Sequence, residues 1–354
     1  MSPDVSVDDL LGFLAAGTSP YHAVAEVAAR LDVAVCTQVD LAEPWSPAGL
    51  GYGVRGGAII AWALPPGTEP WTPFRLVGAH TDSPNLRVRP QPDRSVAGWR
   101  QLGVEVYGGA LLNSWLDRDL GLSGRVALRA SHSGDGIAER TEASVGADDA
   151  GVGRSARPER RPAVQLRHVR WDRPLLRVPQ LAIHLDRDIS SDGLQLNKQQ
   201  HLTPVWGIGH SSPGEFRAWI ADELGVDGDD VLSWDLMTHD LTPSTRLGRN
   251  QDLLAAPRLD NLCSTFAALT ALIEISLGAD ERIARGTHPA PPSADPGYVS
   301  VVAVFDHEEI GSMTNRGADS SLLPTILERI VCTGGGDRQD YLRALAGTLV
   351  VSAD

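Results

Sequence analysis

Hydrophobic positions in the N-terminal part of the chain follow two different spacings. Val7, Leu10, Leu11 and Leu14 recur on one helical face, which predicts a helix. TSPYHAVAEVAARL predicts a second one, with Ser19 as N-cap and Pro20 at the first helical position, where its missing N–H is not needed. The period then shortens. GYGVRGGAIIAWAL reads as a β-hairpin, and the apolar run FRLVGAH, ending at His80, reads as a buried strand.

The texture changes between about residue 90 and residue 239, where short β-like runs dominate: GVEVYGG, SGRVALRA and QLAIHLD. Residues 131–162, which lie among them, are polar, rich in Gly, Ala and Ser, and predict a flexible insertion. SSPGEFRAWIADELG predicts a helix with Ser212, Pro213 and Glu215 in capping-box positions. After Arg258 the pattern alternates again. RLDNLCSTFAALTALIEISLG predicts a long helix, GYVSVVAVFD a strand, SSLLPTILERIVCTG and DRQDYLRALAG helices, and TLVVSAD a last strand. The expected fold class is α/β. One domain is split in sequence into residues 1–90 and 240–354, and a β-rich domain, residues 91–239, is inserted into it.

Composition narrows the partners. The chain has 354 residues, enough for two domains, with 42% hydrophobic and 21% charged residues, as in ordinary soluble proteins. A net charge of −14 with no basic stripe argues against nucleic acid. The three cysteines are scattered and form no CxxC, which fits reduced thiols in the cytoplasm and excludes a Cys-ligated zinc cluster. The N-terminus carries acids and no basic region, so no signal peptide is expected, and no apolar run reaches membrane-spanning length.

The candidate chemistry sits where apolar runs end. RLVGAHTD delivers His80 and Asp82, APRLDN delivers Asp260, VAVFDHEE delivers Glu308 and Glu309, and LVVSAD delivers Asp354. Each has an ordinary reading: a Glu-Glu turn is usually a solvated face, and an Asp at a helix start is usually a cap. Their shared position at strand ends and helix starts is the argument, because open α/β sheets bind ligands at the carboxyl ends of strands. One histidine with several carboxylates suits zinc or a similar divalent ion, in a two-metal site with a bridging carboxylate. Two cations would neutralise the crowded acids, leaving one glutamate to bind metal and its neighbour to take a proton from water. Asp82 would fix the His80 tautomer.

The segments VGAHTDSPNLRVRP, YGGALLNSWLDRDLGLSGRV, VPQLAIHLDRD, RLDNLCSTFAAL, FDHEEIGS and VVSAD occur in this order. In them the chain resembles the M18 metallopeptidases, the aspartyl aminopeptidases, from FLAAGTSPYHAV to its last residue but not across 131–162. The resemblance implies a zinc-peptidase-like α/β/α sandwich with an inserted β-rich dimerisation domain. It implies that His80 and Asp354 bind one zinc, Asp260 bridges two, Glu309 binds the second, Glu308 is the general base and Asp82 orients His80. His184, in LAIHL, matches a histidine that reaches a neighbouring subunit's site. The implied activity removes N-terminal Asp or Glu from peptides, in a homo-oligomer built on dimers and reaching a dodecamer.

The chain departs from the family pattern at two places. His307 stands where the family motif has Asn. Family members also continue for several dozen residues past Ser-Ala-Asp, a segment with the last zinc ligand, a histidine, so the resemblance covers a chain lacking that C-terminal part. Two other readings therefore stay open: a catalytically inactive M18-like oligomeric protein, and a two-metal amidase acting on small acyl-amino acids. Asp117 and Asp119 are expected to pair with Arg118 or Arg125, and His22, His132, His168, His210, His239 and His288 are read as surface residues.

Overall fold

The computed structural model describes residues 6–45, 49–130, 164–276 and 297–354; the insertion predicted at 131–162 lies outside the described residues. The chain divides into two compact units. One contains Met1–Asn85, Tyr107–Ala110 and His239–Asp354, the other Leu86–Val106 and Leu111–Thr238.

In chain order the elements begin with α1 (Val7–Ala16), α2 (Pro20–Val33), β1 (Thr37–Val39), β2 (Leu50–Arg55), β3 (Ala58–Ala63) and β4 (Phe74–His80). They continue with β5 (Asn85–Val96), β6 (Trp99–Tyr107), β7 (Leu120–Arg129), β8 (Val164–Leu176), α3 (Ile189–Asp192) and β9 (Val205–Ile208). Next come α4 (Glu215–Leu224), β10 (Val231–Asp240), β11 (Thr245–Leu247), β12 (Leu253–Ala255) and α5 (Leu259–Ser276). The last are β13 (Val299–Phe305), α6 (Leu322–Thr333), α7 (Arg338–Ala346) and β14 (Leu349–Ser352).

The first unit is built on a sheet of order β1-β2-β3-β13-β4-β14. Its strands are apolar on both faces because helices cover both. Val302 and Val304 of β13 pack with Leu14, Leu31, Leu262 and Leu269 of α1, α2 and α5. Val301 and Ala303, one residue out of phase, pack with Ile326, Ile330 and Ala344 of α6 and α7. Burying each large aliphatic side chain here contributes about 1.5–3 kcal/mol. The result is an α/β/α sandwich. Ser19 caps α2 through its hydroxyl, with Pro20 at the first turn, and Arg30 clamps α2 to α1 through two bonds to Asp9, at 3.0 and 2.8 Å. The strand register matters most for function. β13 and β14 both run parallel to β4, with Phe305 beside His80 and Ser352 beside Gly78. Three carboxyl ends therefore finish side by side.

The second unit holds a sheet of order β8-β7-β10-β5-β6-β9, on which α4 buries Phe216, Ile220 and Ala221 against Leu102, Leu122 and Val231. Two local expectations are corrected there. The cap of α4 is Gly214 in the left-handed region (φ 88°), not Ser212. Asp93, over a hundred residues away in sequence, accepts the Gly214 and Phe216 N–H groups at 2.8 and 2.9 Å, while Glu215 turns back to Ser211 and Ser212. The QLAIHLD run is not a strand. Ile183–Leu185 form a turn, and Leu181, Ile183 and Leu185 are 59–66% exposed, so the alternation has no sheet to pair with. Asp117 and Asp119 both face Arg177, at 3.7 and 2.6 Å.

Two histidines are also corrected: His239 is buried at the end of β10, and His22 bonds the Ser19 hydroxyl at 2.7 Å through Nδ1. No helix among the described residues is long and apolar enough to cross a membrane.

Candidate metal centre

The ends of β4 and β14 and the start of α5 bring three donor groups together. Ligand atoms of His80, Asp260 and Asp354 all lie within 4.8 Å of one another. His80 is nearly fully buried, and its Nε2 points at this cluster, 3.3 Å from Asp260 Oδ1 and 3.6 Å from Asp354 Oδ1. Glu308 Oε2 is 3.8 Å from the same nitrogen. Asp260 and Asp354 are largely exposed, so the cluster opens to solvent on their side.

Asn261 explains how separate segments converge. Its side-chain oxygen accepts the His80 N–H at 3.2 Å, and its amide donates to the Ala353 carbonyl at 2.7 Å. One buried side chain thus ties the residues beside Asp260, His80 and Asp354. To leave Asp260 facing the cluster, the chain is non-helical at Asp260 and Asn261, and regular helix begins only after them. The long-helix expectation therefore holds after these first residues as far as Ser276, the last described residue of that segment. Between His80 and Asp82, the buried Thr81 hydroxyl lies 2.6 Å from the Gly57 carbonyl and 3.1 Å from that of Phe305.

Asp82 is fully buried and saturated with donors. Oδ2 accepts the Tyr107 O–H at 2.6 Å and the Glu309 N–H at 3.1 Å, and Oδ1 accepts the Glu308 N–H at 3.1 Å. Oδ1 is also 3.5 Å from His80 Nδ1, which contacts the Asp82 carbonyl at 3.0 Å. Burial by itself would raise the Asp82 pKa, but the bonds from His80, Tyr107 and Glu309 hold it below the usual carboxylate value. Burial likewise opposes a charged His80 ring, yet Asp82 carries its pKa up to about 9. Glu309 is pushed upward by burial; the Gly109 N–H, 3.5 Å from Oε2, works the other way, and the charge of Asp82 adds to the rise.

These contacts decide which His80 nitrogen is left to bind metal once the ring is neutral. Nδ1 faces an acceptor, so it carries the proton, and Nε2 keeps its lone pair when the ring is neutral. Nε2 is buried and makes no hydrogen bond with any described residue. A nitrogen of this kind beside two carboxylates is the donor set that zinc takes, so the residues fit the metal.

Of the residues singled out in the sequence, His80, Asp260 and Asp354 form the cluster, Glu308 borders it, and Asp82 stands behind His80. Glu309 is adjacent but aims at Gly109 and is not among the three. His184 belongs to the other unit and is exposed on its turn. Tyr107, Gly108 and Asn261 were not foreseen. The available signals were the Tyr-Gly-Gly at the end of a β-run and the Asn next to Asp260.

An α/β sandwich with a His–carboxylate cluster at adjoining strand ends belongs to the class of metal-site α/β proteins. Comparison with known proteins makes this specific. The family model described as aminopeptidase I zinc metalloprotease (M18) matches residues 13–144 and 156–354. A Streptomyces avermitilis protein named "Probable M18 family aminopeptidase 2" is 48% identical over 349 residues, 98% of this chain and 70% of that protein. Its Mycobacterium leprae namesake is 45% identical over 350 residues, 99% and 71% of the two chains. The chain belongs to the M18 family of zinc metallopeptidases.

Among solved structures, the cryo-EM structure of the Ape4 and Nbr1 complex matches at TM-score 0.80 and 28% identity, covering 98% of this chain and 62% of that one. The S. cerevisiae mApe1 dodecamer matches at TM-score 0.70 and 22% identity, with 97% and 70% coverage, and shows the fold alone. The chain thus spans under two-thirds of that first structural relative and about 70% of the curated ones.

Proposed function

We propose that this chain carries the catalytic centre of a zinc aminopeptidase that removes N-terminal residues, preferentially Asp and Glu, from peptides. The observation that carries the reading is the buried, unbonded His80 Nε2 facing Asp260 and Asp354, with Glu308 at its edge. His80 and Asp354 would hold one zinc, Asp260 would bridge to a second, and Glu309 would join that second ion. Bound zinc supplies positive charge that makes water acidic and polarises a carbonyl oxygen.

The chain's own residues do the rest. Asp82 keeps the His80 proton on Nδ1 and leaves Nε2 free for metal. Glu308, 42% exposed and close enough to border the cluster, accepts a proton from the attacking water and passes it to the leaving amine. Asn261 holds the three donor segments in register. Family membership and the donor set support this assignment, and the acidic preference rests on the resemblance alone.

We further propose assembly into a homo-oligomer, with the turn at His184 against a second copy. The exposed Leu181, Ile183 and Leu185 around that histidine support an interface there.

The test is Glu308→Gln in the zinc-loaded chain, with Asp-, Glu- and Leu-peptide substrates. Metal content should stay at the parental level, while turnover falls by about 100-fold or more, the scale of a lost general base. Parental turnover in that variant removes Glu308 from the role. Equal rates on Asp- and Leu-peptides remove the acidic preference.

A further inference from the structure

Behind the Glu308–Glu309 pair lies a second buried polar group that the reaction above does not use. Asp306 is fully buried, and Arg316 and His307 are nearly so. Asp306 Oδ1 accepts the His307 N–H at 2.9 Å, and its Oδ2 lies 3.4 Å from Arg316 Nε and 3.6 Å from His307 Nε2. Arg316 reaches two further groups. Nη1 donates to the Tyr21 hydroxyl at 3.0 Å, and Nη2 sits 2.9 Å from His307 Nε2. A guanidinium N–H can only donate, so His307 Nε2 must accept and the ring proton sits on Nδ1. Nδ1 meets the Thr314 hydroxyl at 2.8 Å, which is placed to accept that proton.

The cluster is sterically closed as well. A Cβ on Gly57 would lie 2.3 Å from Asp306 Oδ2, and one on Gly56 would lie 2.7 Å from Arg316 Cδ. The backbone closes the loop, with Asp306 N–H bonded to the Arg316 carbonyl at 3.2 Å and Ser312 N–H to that of His307 at 2.9 Å. His307 itself is in the left-handed region (φ 66°), a conformation that needs support in any residue with a side chain. That residue immediately precedes Glu308.

We propose that Arg316 is a positioning residue for the Glu308–Glu309 pair, acting through His307. Asp306 and Tyr21 fix the guanidinium, the guanidinium fixes the imidazole, and the imidazole holds the left-handed turn that aims the two glutamates. The inference rests on the catalytic reading above.

Three variants test it in the zinc-loaded chain: Arg316→Met, His307→Ala and both together. A misplacement of about 1 Å at reacting groups costs on the order of 100-fold in rate. Each single variant should therefore lower kcat by about 10- to 100-fold with KM within about twofold. The double variant should be no worse than Arg316→Met within about twofold, because one pathway is cut twice. Losses that multiply, or KM rising with kcat intact, overturn the proposal. His307→Ala leaves the Asp306–Arg316 pair whole, so it reports even where Arg316→Met fails to fold. Zinc affinity of the metal-stripped proteins gives a readout apart from turnover: it should weaken about tenfold in the single variants if the turn aims Glu309 at metal. Unchanged zinc affinity together with parental kcat rejects the positioning role. A parental chain without peptidase activity whose variants still weaken zinc binding rejects only the catalytic reading.

Discussion

The Tyr107 hydroxyl donates to the Asp82 carboxylate at 2.6 Å, with both side chains buried. Tyr107 ends β6, and Asp82 lies just past β4, so this bond joins two strand ends of separate origin behind His80. Without it, Asp82 keeps its negative charge in a buried place with one donor fewer.

Tyr107→Phe removes that donor and little else. Leaving a buried charged acceptor short of one bond costs about 1–3 kcal/mol. The expected outcome is a chain that unfolds at lower urea, with weaker zinc binding because His80 is less firmly held. Unfolding curves of the metal-free chain and a zinc titration check both, and a Phe variant matching the parent in both refutes the role given to this bond.

Gly108 follows Tyr107 with φ +74°, and a Cβ there would lie 2.8 Å from Glu309 Oε2 and 2.9 Å from its Cβ. Gly108→Ala meets two costs at once: a left-handed backbone, about 1–2 kcal/mol, and a steric push on Glu309. Stability should drop by about that much. Turnover should drop further than stability alone explains, since the push lands on a proposed metal ligand. Circular dichroism melts beside kcat at a temperature where both proteins are folded separate the two effects.

These two residues show what was legible in the sequence and what was not. His80, Glu308 and Asp354 could be read because each ends an apolar run whose strand identity is local. Asp260 could be read from its place at the start of a helix. Tyr107 could not, because what matters is a contact to Asp82 set by tertiary packing rather than by any spacing. The same limit misled the reading of α4: Ser212 has the right local position for a cap, but Asp93 arrives from β5 and takes the work. QLAIHLD alternates like a strand, yet strand formation needs a neighbour to bond, and the segment has none within its unit among the described residues.

Asp93→Ala isolates that distant cap. Two backbone N–H groups at the start of α4 lose their acceptor, which costs about 1–2 kcal/mol. The unit that contains α4 should lose stability by that amount, read as a lower urea midpoint. Zinc content should match the parent, because none of the cluster residues touches Asp93. A variant that loses zinc while folded would instead tie this cap to the metal centre.

The His80 ring makes stability and metal binding respond to pH in opposite directions. Its pKa in the folded, metal-free chain is raised from 6.5 to about 9. A raised pKa means that the folded state holds the proton more tightly than the unfolded state does. The associated stability is therefore present in full below about 6.5 and is lost as pH climbs through about 9. The depressed pKa of Asp82 has the opposite sign, and its contribution is lost only at acid pH. The urea midpoint of the EDTA-treated chain should thus fall between about pH 6.5 and 9, and His80→Gln should flatten that fall. Zinc needs the Nε2 lone pair, so it must expel the proton that stabilises the metal-free fold. Apparent zinc affinity should then rise with pH across the same window, with proton release at neutral pH visible by calorimetry in buffers of different ionisation enthalpy. Zinc binding that releases no proton between about pH 7 and 8 would take His80 out of the ligand set.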